Sequence, residues 1–452
     1  MLFDGATELR VSDPGIRDLF SRESRWQAWL DVESALASAE AKVGVIPDEA
    51  AVEIAKNATV DRLDRARIDE GLKRTAHALV PLVWELSRVC GSDSGRWVHW
   101  GATTENILQT GDTLLVRRAN TEIKALLRRC LEAMAGLAST GADMVMAGRS
   151  HGQHAVPITF GFKVAVWIDE LSRHVARIRS VEDRLFVGML GGAVGTFASL
   201  GDNGPAVQDA MCDVLELSPM RVPARSVHDH RAEYLCVLGL LAATGGKIAR
   251  EIYSLMETEV GELEEPMPPG TVGSSTMPQK RNPHLCQDVI AGAAEIRSLV
   301  PLGLEAMAVE HEADRSRSLV FADALERACV GVGDLLVRLA VILEGLSVDP
   351  ERMRRNLDVS HGLILSEAIM LRLGEHVGRQ RAHDLVYEAA QECATTGADF
   401  KSALMKVGEL TRYISTEDLD DLFDPTAYVG ESPRIARSAV DQVQAMFSQG
   451  SE

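Results

Sequence analysis

The chain has 452 residues, 46% of them apolar and 25% charged: ordinary values for a globular protein, and more chain than a single hydrophobic core organises. A net charge of −19 excludes the basic footprint that nucleic acids and anionic membrane surfaces require, but not a small anionic metabolite held by local cations and helix N-termini. Aromatics make up only 5%, and a chain dominated by Ala, Leu, Val, Glu and Arg favours helices over sheets.

Taken in chain order, the start MLFDGATELRVSDPG has an early acid and no basic-then-apolar run, so no signal peptide is expected. No stretch approaches roughly 18 uninterrupted apolar residues, so no membrane partner is expected either. The seven cysteines are scattered, odd in number and without a C-x-x-C pair, which suits reduced thiols in the cytoplasm better than disulfides or a zinc site. Gly91-Ser92-Asp93-Ser94-Gly95 is the first break. It precedes His99-Trp100-Gly101-Ala102-Thr103-Thr104-Glu105-Asn106, small and hydroxylated, which as a plain helix connection would need no special account.

The second such segment runs from Gly148 through Arg149, Ser150, His151, Gly152, Gln153 and His154 to Pro157. Two histidines and an arginine within six residues are costly to bury without purpose. Beyond it, Val164, Ile168, Leu171, Val175 and Ile178 recur at steps of four and three, the stripe of a long bundle helix over 162–181. A second long helix is expected from Arg231 to about Glu262, and a third after Asn282-Pro283 through Ile290, Ile296 and Leu299.

Between those helices lies the most informative stretch. From Glu264 to Pro283 there are five prolines, two glycines and two serines, too irregular for helix and typical of a mobile lid. It carries Ser274, Lys280 and Asn282: a candidate nucleophile or base, a cation and an amide. Later, Asp349-Pro350 and Asp424-Pro425 read as helix starts, with Asp as cap and Pro in the first turn. The expectation is an all-α chain of three helical domains: 1–105, a central long-helix bundle over 106–346 carrying the serine loop, and 347–452.

GSSTMPQKRNP resembles the G-S-S-x-M-P-x-K-x-N signature of the fumarase/aspartase superfamily. The other two segments, Gly191–Thr196 and Lys247–Glu262 follow in the family's order over nearly the whole chain, and Asp424–Gly430 adds to a likeness closest to the adenylosuccinate lyase and 3-carboxy-cis,cis-muconate cycloisomerase branch. The resemblance implies a lyase that abstracts a proton beside a carboxylate and expels a leaving group from the neighbouring carbon, without cofactor or metal. The expected reaction is C–N cleavage of an N-substituted aspartate, adenylosuccinate-like, with release of fumarate. Alternatives are a lactonising cycloisomerase and a catalytically silent structural relative. Ser274 is the implied base and His151 the group that protonates or assists the leaving group. Thr103, Thr104, Ser150, Gln153, Lys280, Asn282, His77 and Arg315 are the implied substrate contacts, His77 being equally readable as a helix-surface residue. A small polycarboxylate substrate and a homotetramer with active sites shared between subunits are also implied.

The chain departs from that pattern in places. Val227-His228-Asp229 stand where related lyases have Gln-Arg-Asp, and Asn106 where they have Asp. Ala313 and Ala322 replace arginines of the adenylosuccinate lyases, the latter a phosphate contact, which leaves Arg315 and Arg317 as the local cations.

Overall fold

The computed structural model describes residues 7–448, so Met1–Ala6, the very start considered above for a leader, lies outside the described residues. These residues form an all-α protein: nineteen α-helices, with strands confined to three two-stranded pairings. Local chemistry sets the helix ends. Helix α1 (Arg22–Val43) starts on Ser21, whose Oγ accepts the Ser24 N–H at 3.2 Å, and stops at Gly44, whose φ of 80° suits glycine. Asp349 caps the helix Pro350–Leu357 as the Asp-Pro pair predicts, whereas Asp424-Pro425 opens only a four-residue 3-10 turn, Pro425–Tyr428.

Five long helices dominate: α2 (Thr104–Thr140), α3 (Phe160–Leu185), α4 (Asp229–Leu255), α5 (His284–Glu305) and α6 (Arg315–Glu344). The stripe Val164, Ile168, Leu171, Val175 and Ile178 is buried throughout, as are Leu241, Ile248, Ile252 and Leu255 on α4. The sequence period runs α4 on to Glu262, but the helix ends seven residues sooner. Gly261 adopts a left-handed φ of 61°, and the Glu262 N–H folds back to Leu255 O at 2.9 Å. By length and composition α4 could cross a membrane, yet most of its apolar window is buried inside the protein, as befits a core helix.

One element escapes the helical pattern altogether. β1 (Val145–Ser150) and β2 (Gln153–Thr159) form an antiparallel hairpin, with Ser150 opposite Gln153 and a register shift between Ala147 and Arg149. The β-branched residues Val156, Ile158 and Thr159 are its compositional trace.

The chain condenses into two compact units. The first comprises the stretch ending at Leu127, His174–Gly246 and Ala291–Val337. Its core includes Trp29, Leu36, Ile54, Leu82 and Met211. The second comprises Arg128–Arg173, Lys247–Ile290 and the chain from Arg338 onward. Leu357, Ile369, Leu385, Phe400 and Leu404 form its core.

Among the buried carboxylates of the first unit, Glu33 and Glu40 lie two helical turns apart on α1. Glu40 is wholly buried with no hydrogen bond to either oxygen, and burial, with Glu33 adding to it, pushes its pKa from 4.5 up to about 9. A carboxyl that binds its proton more tightly when folded stabilises fully below pH 4.5 and costs stability as pH rises towards 9. Glu40→Gln is therefore expected to match the wild type in denaturant midpoint near pH 5 and to exceed it by about 2 kcal/mol at pH 8, because each pH unit in that window is worth at most about 1.4 kcal/mol. A stability difference that does not change with pH would show that Glu40 finds a partner.

Candidate active site

The sequence-marked residues fall into both units, and each unit builds its own set. In the second, the β1–β2 hairpin turns on only two residues, His151 and Gly152, with φ of 52° and 74°. Two successive left-handed residues are what a tight hairpin turn of this length requires, and glycine supplies the second without strain. Consequently Ser150, His151 and Gln153 are all exposed at the tip. Behind the tip, Arg149 grips Glu262 with both guanidinium nitrogens at 2.9 and 2.7 Å, and Asn356 Nδ2 donates to the same carboxylate at 2.8 Å. Glu262 is wholly buried, so this fork is what makes its charge tolerable.

His154 follows on β2, a histidine given no role by sequence reasoning. It is half-buried, and its Nδ1 is sealed from solvent without a partner. Burial lowers its pKa and the Arg149 charge lowers it further, against an opposing pull from Glu262.

The serine loop is closed on itself. Asn282 Nδ2 donates to Gly273 O at 2.6 Å, and a side chain at Gly273 would meet Lys280 O at 2.0 Å, so only glycine fits. Ser274 Oγ accepts the backbone N–H groups of Thr276 at 3.4 Å and Met277 at 3.2 Å. Arg281 forms an ion pair with Glu264, and Glu265 accepts the N–H groups of Leu285 and Cys286 at 3.0 and 2.9 Å, capping α5. Burial raises the Glu265 pKa, with the two N–H bonds opposing it. Beside the loop lies a cavity of about 1000 Å³ lined by Tyr253, Gln279, Lys280, Asn282 and Asp349 among others. Lys280 reaches it from the exposed loop, and Asn282 lines it while one of its amide hydrogens closes the loop on Gly273 O.

In the first unit, His77 caps a helix. Its Nδ1 accepts from Leu79 N at 3.3 Å and Val80 N at 3.4 Å, at the start of Val80–Val89. With Nδ1 an acceptor, the proton of the neutral ring belongs on Nε2, which faces Thr104 Oγ1 at 3.5 Å. Burial and then the nearby Arg315 charge lower the His77 pKa, with Glu105 opposing. His77 stands in the loop before that helix, with Thr104 at the start of α2 within 3.5 Å of its Nε2 and the Arg315 charge within electrostatic reach.

Arg315 opens α6, exposed and without an ion pair among the described residues, while Arg317 is neutralised by Glu305 at 2.8 Å and Asp314 at 3.9 Å. Thr103 precedes α2 and donates its N–H to Asn106 Oδ1 at 3.0 Å. His99, left-handed at φ 61°, contacts the buried Glu33 at 2.6 Å. Burial presses its pKa down, but the Glu33 charge and hydrogen bond outweigh that and raise it. His228 is buried against Phe321, rings nearly parallel with centroids 5.5 Å apart.

Comparison with known proteins gives the same direction throughout. A family model described as "Lyase" matches residues 7–297, and one described as "Adenylosuccinate lyase C-terminus" matches residues 362–439. The adenylosuccinate lyase of Methanothermobacter thermautotrophicus is 37% identical over 97% of this chain and 98% of its own length. An N-acetyl-S-(2-succino)cysteine lyase of Dickeya dadantii is likewise 37% identical, over 93% and 92%. Among solved structures, the 3-carboxy-cis,cis-muconate lactonizing enzyme of Pseudomonas putida superposes with a TM-score of 0.89 at 34% identity, covering 97% of this chain and 99% of that one.

The Arg149–Glu262 fork can be tested without any substrate. Arg149→Met strands a buried charge and is expected to lower unfolding free energy by about 3–5 kcal/mol in guanidinium titrations. Replacing Glu262 by Leu in the same chain should restore most of that loss, and no recovery in the double variant would mean that packing, not charge, dominates there.

Proposed function

The chain belongs to the fumarase/aspartase superfamily of lyases, in the branch of the adenylosuccinate lyases and carboxymuconate cycloisomerases, and we propose that it performs β-elimination next to a carboxylate, cleaving the C–N bond of an N-substituted aspartate to release fumarate. The observation that carries this reading is Ser274 Oγ, which accepts two backbone N–H groups in a loop closed by Asn282. A serine hydroxyl is a poor base until its alkoxide is stabilised, and N–H dipoles aimed at the oxygen supply that stabilisation.

In this scheme the Ser274 alkoxide takes the proton from the carbon beside the carboxylate. The electrons of that C–H bond delocalise into the carboxylate as a dianion, which the Lys280 ammonium balances. The dianion then collapses to the alkene, the C–N bond breaks, and the departing nitrogen takes a proton from His151. On the first unit Thr103, Thr104, His77 and Arg315 form a separate, donor-rich set suited to an anionic group. Ser150, Gln153 and Asn282 complete the polar contacts.

An assembly of four identical subunits with shared active sites fits this reading. Support comes from the exposed hairpin tip and serine loop, and from Leu240, Leu302, Leu304 and Leu319, apolar yet half-exposed on long helices. Seven free thiols accord with a cytoplasmic location. A second reading, lactonisation of a carboxymuconate, is favoured by the likeness to the Pseudomonas putida lactonizing enzyme: a carboxylate oxygen would add to the alkene and the carbon beside the other carboxylate would take up a proton.

Purified enzyme is expected to generate fumarate absorbance from adenylosuccinate or argininosuccinate; fumarate from an S-succinylated cysteine alone would keep the β-elimination and move the cleaved bond from C–N to C–S. Loss of carboxymuconate absorbance without any fumarate would move the assignment to the cycloisomerase, and inertness towards all four would sink both. Ser274→Ala should cut turnover by about 10²–10⁴-fold while substrate affinity persists. Gly273→Ala, by displacing the Lys280 carbonyl, should cost about 100-fold with little change in melting temperature.

A further inference from the structure

The chain around the start of α6 carries more acid than base. Between Glu305 and Arg317 stand Glu310, Glu312 and Asp314, with Arg315 the only other guanidinium. Asp314 caps the helix: its Oδ1 accepts the Ser316 N–H at 2.8 Å and the Ser316 hydroxyl at 2.7 Å. Those bonds hold its pKa below the ordinary value, so it stays ionised and compensates the positive end of α6 from within. Arg317 is shared between Asp314 and Glu305. An exposed pair of this kind breaks at a cost of about 0–1 kcal/mol, but both carboxylates stay beside any anion that Arg317 turns to. Glu310 and Glu312 are exposed and have no ion pair among the described residues.

What remains for an anion on the first unit is Arg315. The other charges that bear on His77 are those of Glu105, an acid, and of His99, which the buried Glu33 already contacts at 2.6 Å. The donor set at the start of α2 therefore brings one uncompensated positive charge.

The serine loop of the second unit is built the same way. Its Arg281 is paired with Glu264, which leaves Lys280 as the cation. The cavity that Lys280 lines is also bordered by Glu257, Glu259 and Asp349. Arg352, whose N–H Asp349 accepts at 2.8 Å, turns its guanidinium onto the carbonyl oxygens of Glu259 and Val260 at 2.7 and 2.8 Å. At about 1000 Å³ the cavity has room for a large leaving group, so charge and not volume selects what enters.

We infer that the substrate is a succinyl compound whose leaving group carries no phosphate. This rests on the elimination reading above and narrows it. A succinyl group brings two carboxylates of single charge, and Lys280 and Arg315 supply one cation for each. A phosphate monoester adds a charge of about −1.5 to −2 near neutral pH, and neither set has a guanidinium left over for it. The net charge of −19 adds its own repulsion to a polyanion. Assembly of identical subunits does not alter the balance, because each copy adds the same acids with the same cations.

Adenylosuccinate and the nucleoside made by removing its phosphate differ in that group alone, and fumarate absorbance follows both. The nucleoside should be turned over with a kcat/KM equal to or above that of the nucleotide. Calorimetry on the full-length protein, which needs no turnover, should find AMP bound no more tightly than adenosine. Glu305→Gln, an exposed change that relieves Arg317 of one acid, should shift these ratios towards the phosphorylated member by about threefold without moving the melting temperature. Preference for the phosphorylated member of either pair by about tenfold or more would overturn the inference, as would ratios that Glu305→Gln leaves unchanged. Absence of fumarate from every succinyl substrate would instead overturn the elimination reading, and this inference with it. Fumarate from argininosuccinate, with AMP held no better than adenosine, would bear out both.

Discussion

Glu262 has no water and no freedom: a wholly buried carboxylate must be paired and hydrogen-bonded or the segment bearing it cannot stay folded. Arg149 from the hairpin and Asn356 from the helix Pro350–Leu357 meet that demand. The ion pair therefore fixes three stretches of the second unit at once. One is the hairpin whose tip displays His151. Another is the chain leaving α4 through Gly261. The third is the helix start at Asp349-Pro350, where Asp349 N–H also donates to Glu262 O at 3.0 Å. Past Leu263 the next two acids continue the task from the start of the serine loop to its end, Glu264 pairing with Arg281 and Glu265 capping α5. Three acids within four residues thus set the frame that holds the loop bearing Ser274 and Lys280.

Within that frame the loop is hydrogen-bonded to itself around Ser274 and exposed around Lys280. The contacts at Ser274 Oγ and Gly273 O are local, made over a few residues, and involve backbone groups that cannot relocate without unmaking the turn. The Lys280 side chain is exposed and has no ion pair among the described residues, which leaves its charge uncompensated. The first unit follows a different logic. There a helix terminus supplies the field, and His77 is turned by capping the neighbouring helix so that its one proton faces Thr104. Backbone amides decide the tautomer, and the tautomer decides that the ring donates.

Much of this was legible in the chain. Periodic apolar spacing located the long helices because a 3.6-residue repeat leaves its mark whatever the neighbours are. Proline and glycine density exposed the serine loop, since those residues cannot continue a helix. The hairpin was not legible: its strands are short, and the pair His151-Gly152 lacks the Asn-Gly or Asp-Gly signature of such turns. The end of α4 was overrun because Glu262 fits a helical stripe but is claimed by Arg149, more than a hundred residues earlier in the chain.

The sequence by itself determined the all-α class, the lyase family and the residue types that chemistry requires, because composition, period and signature motifs are local properties of the chain. Only the tertiary structure decided that Asn282 holds the serine loop shut, that His77 faces Thr104 with its Nε2 proton, and that Arg315 is the unpaired cation and Arg317 the neutralised one. Each of these depends on which groups are left without partners once distant segments have packed. Partnering is a property of the folded surface and not of any residue's place in line.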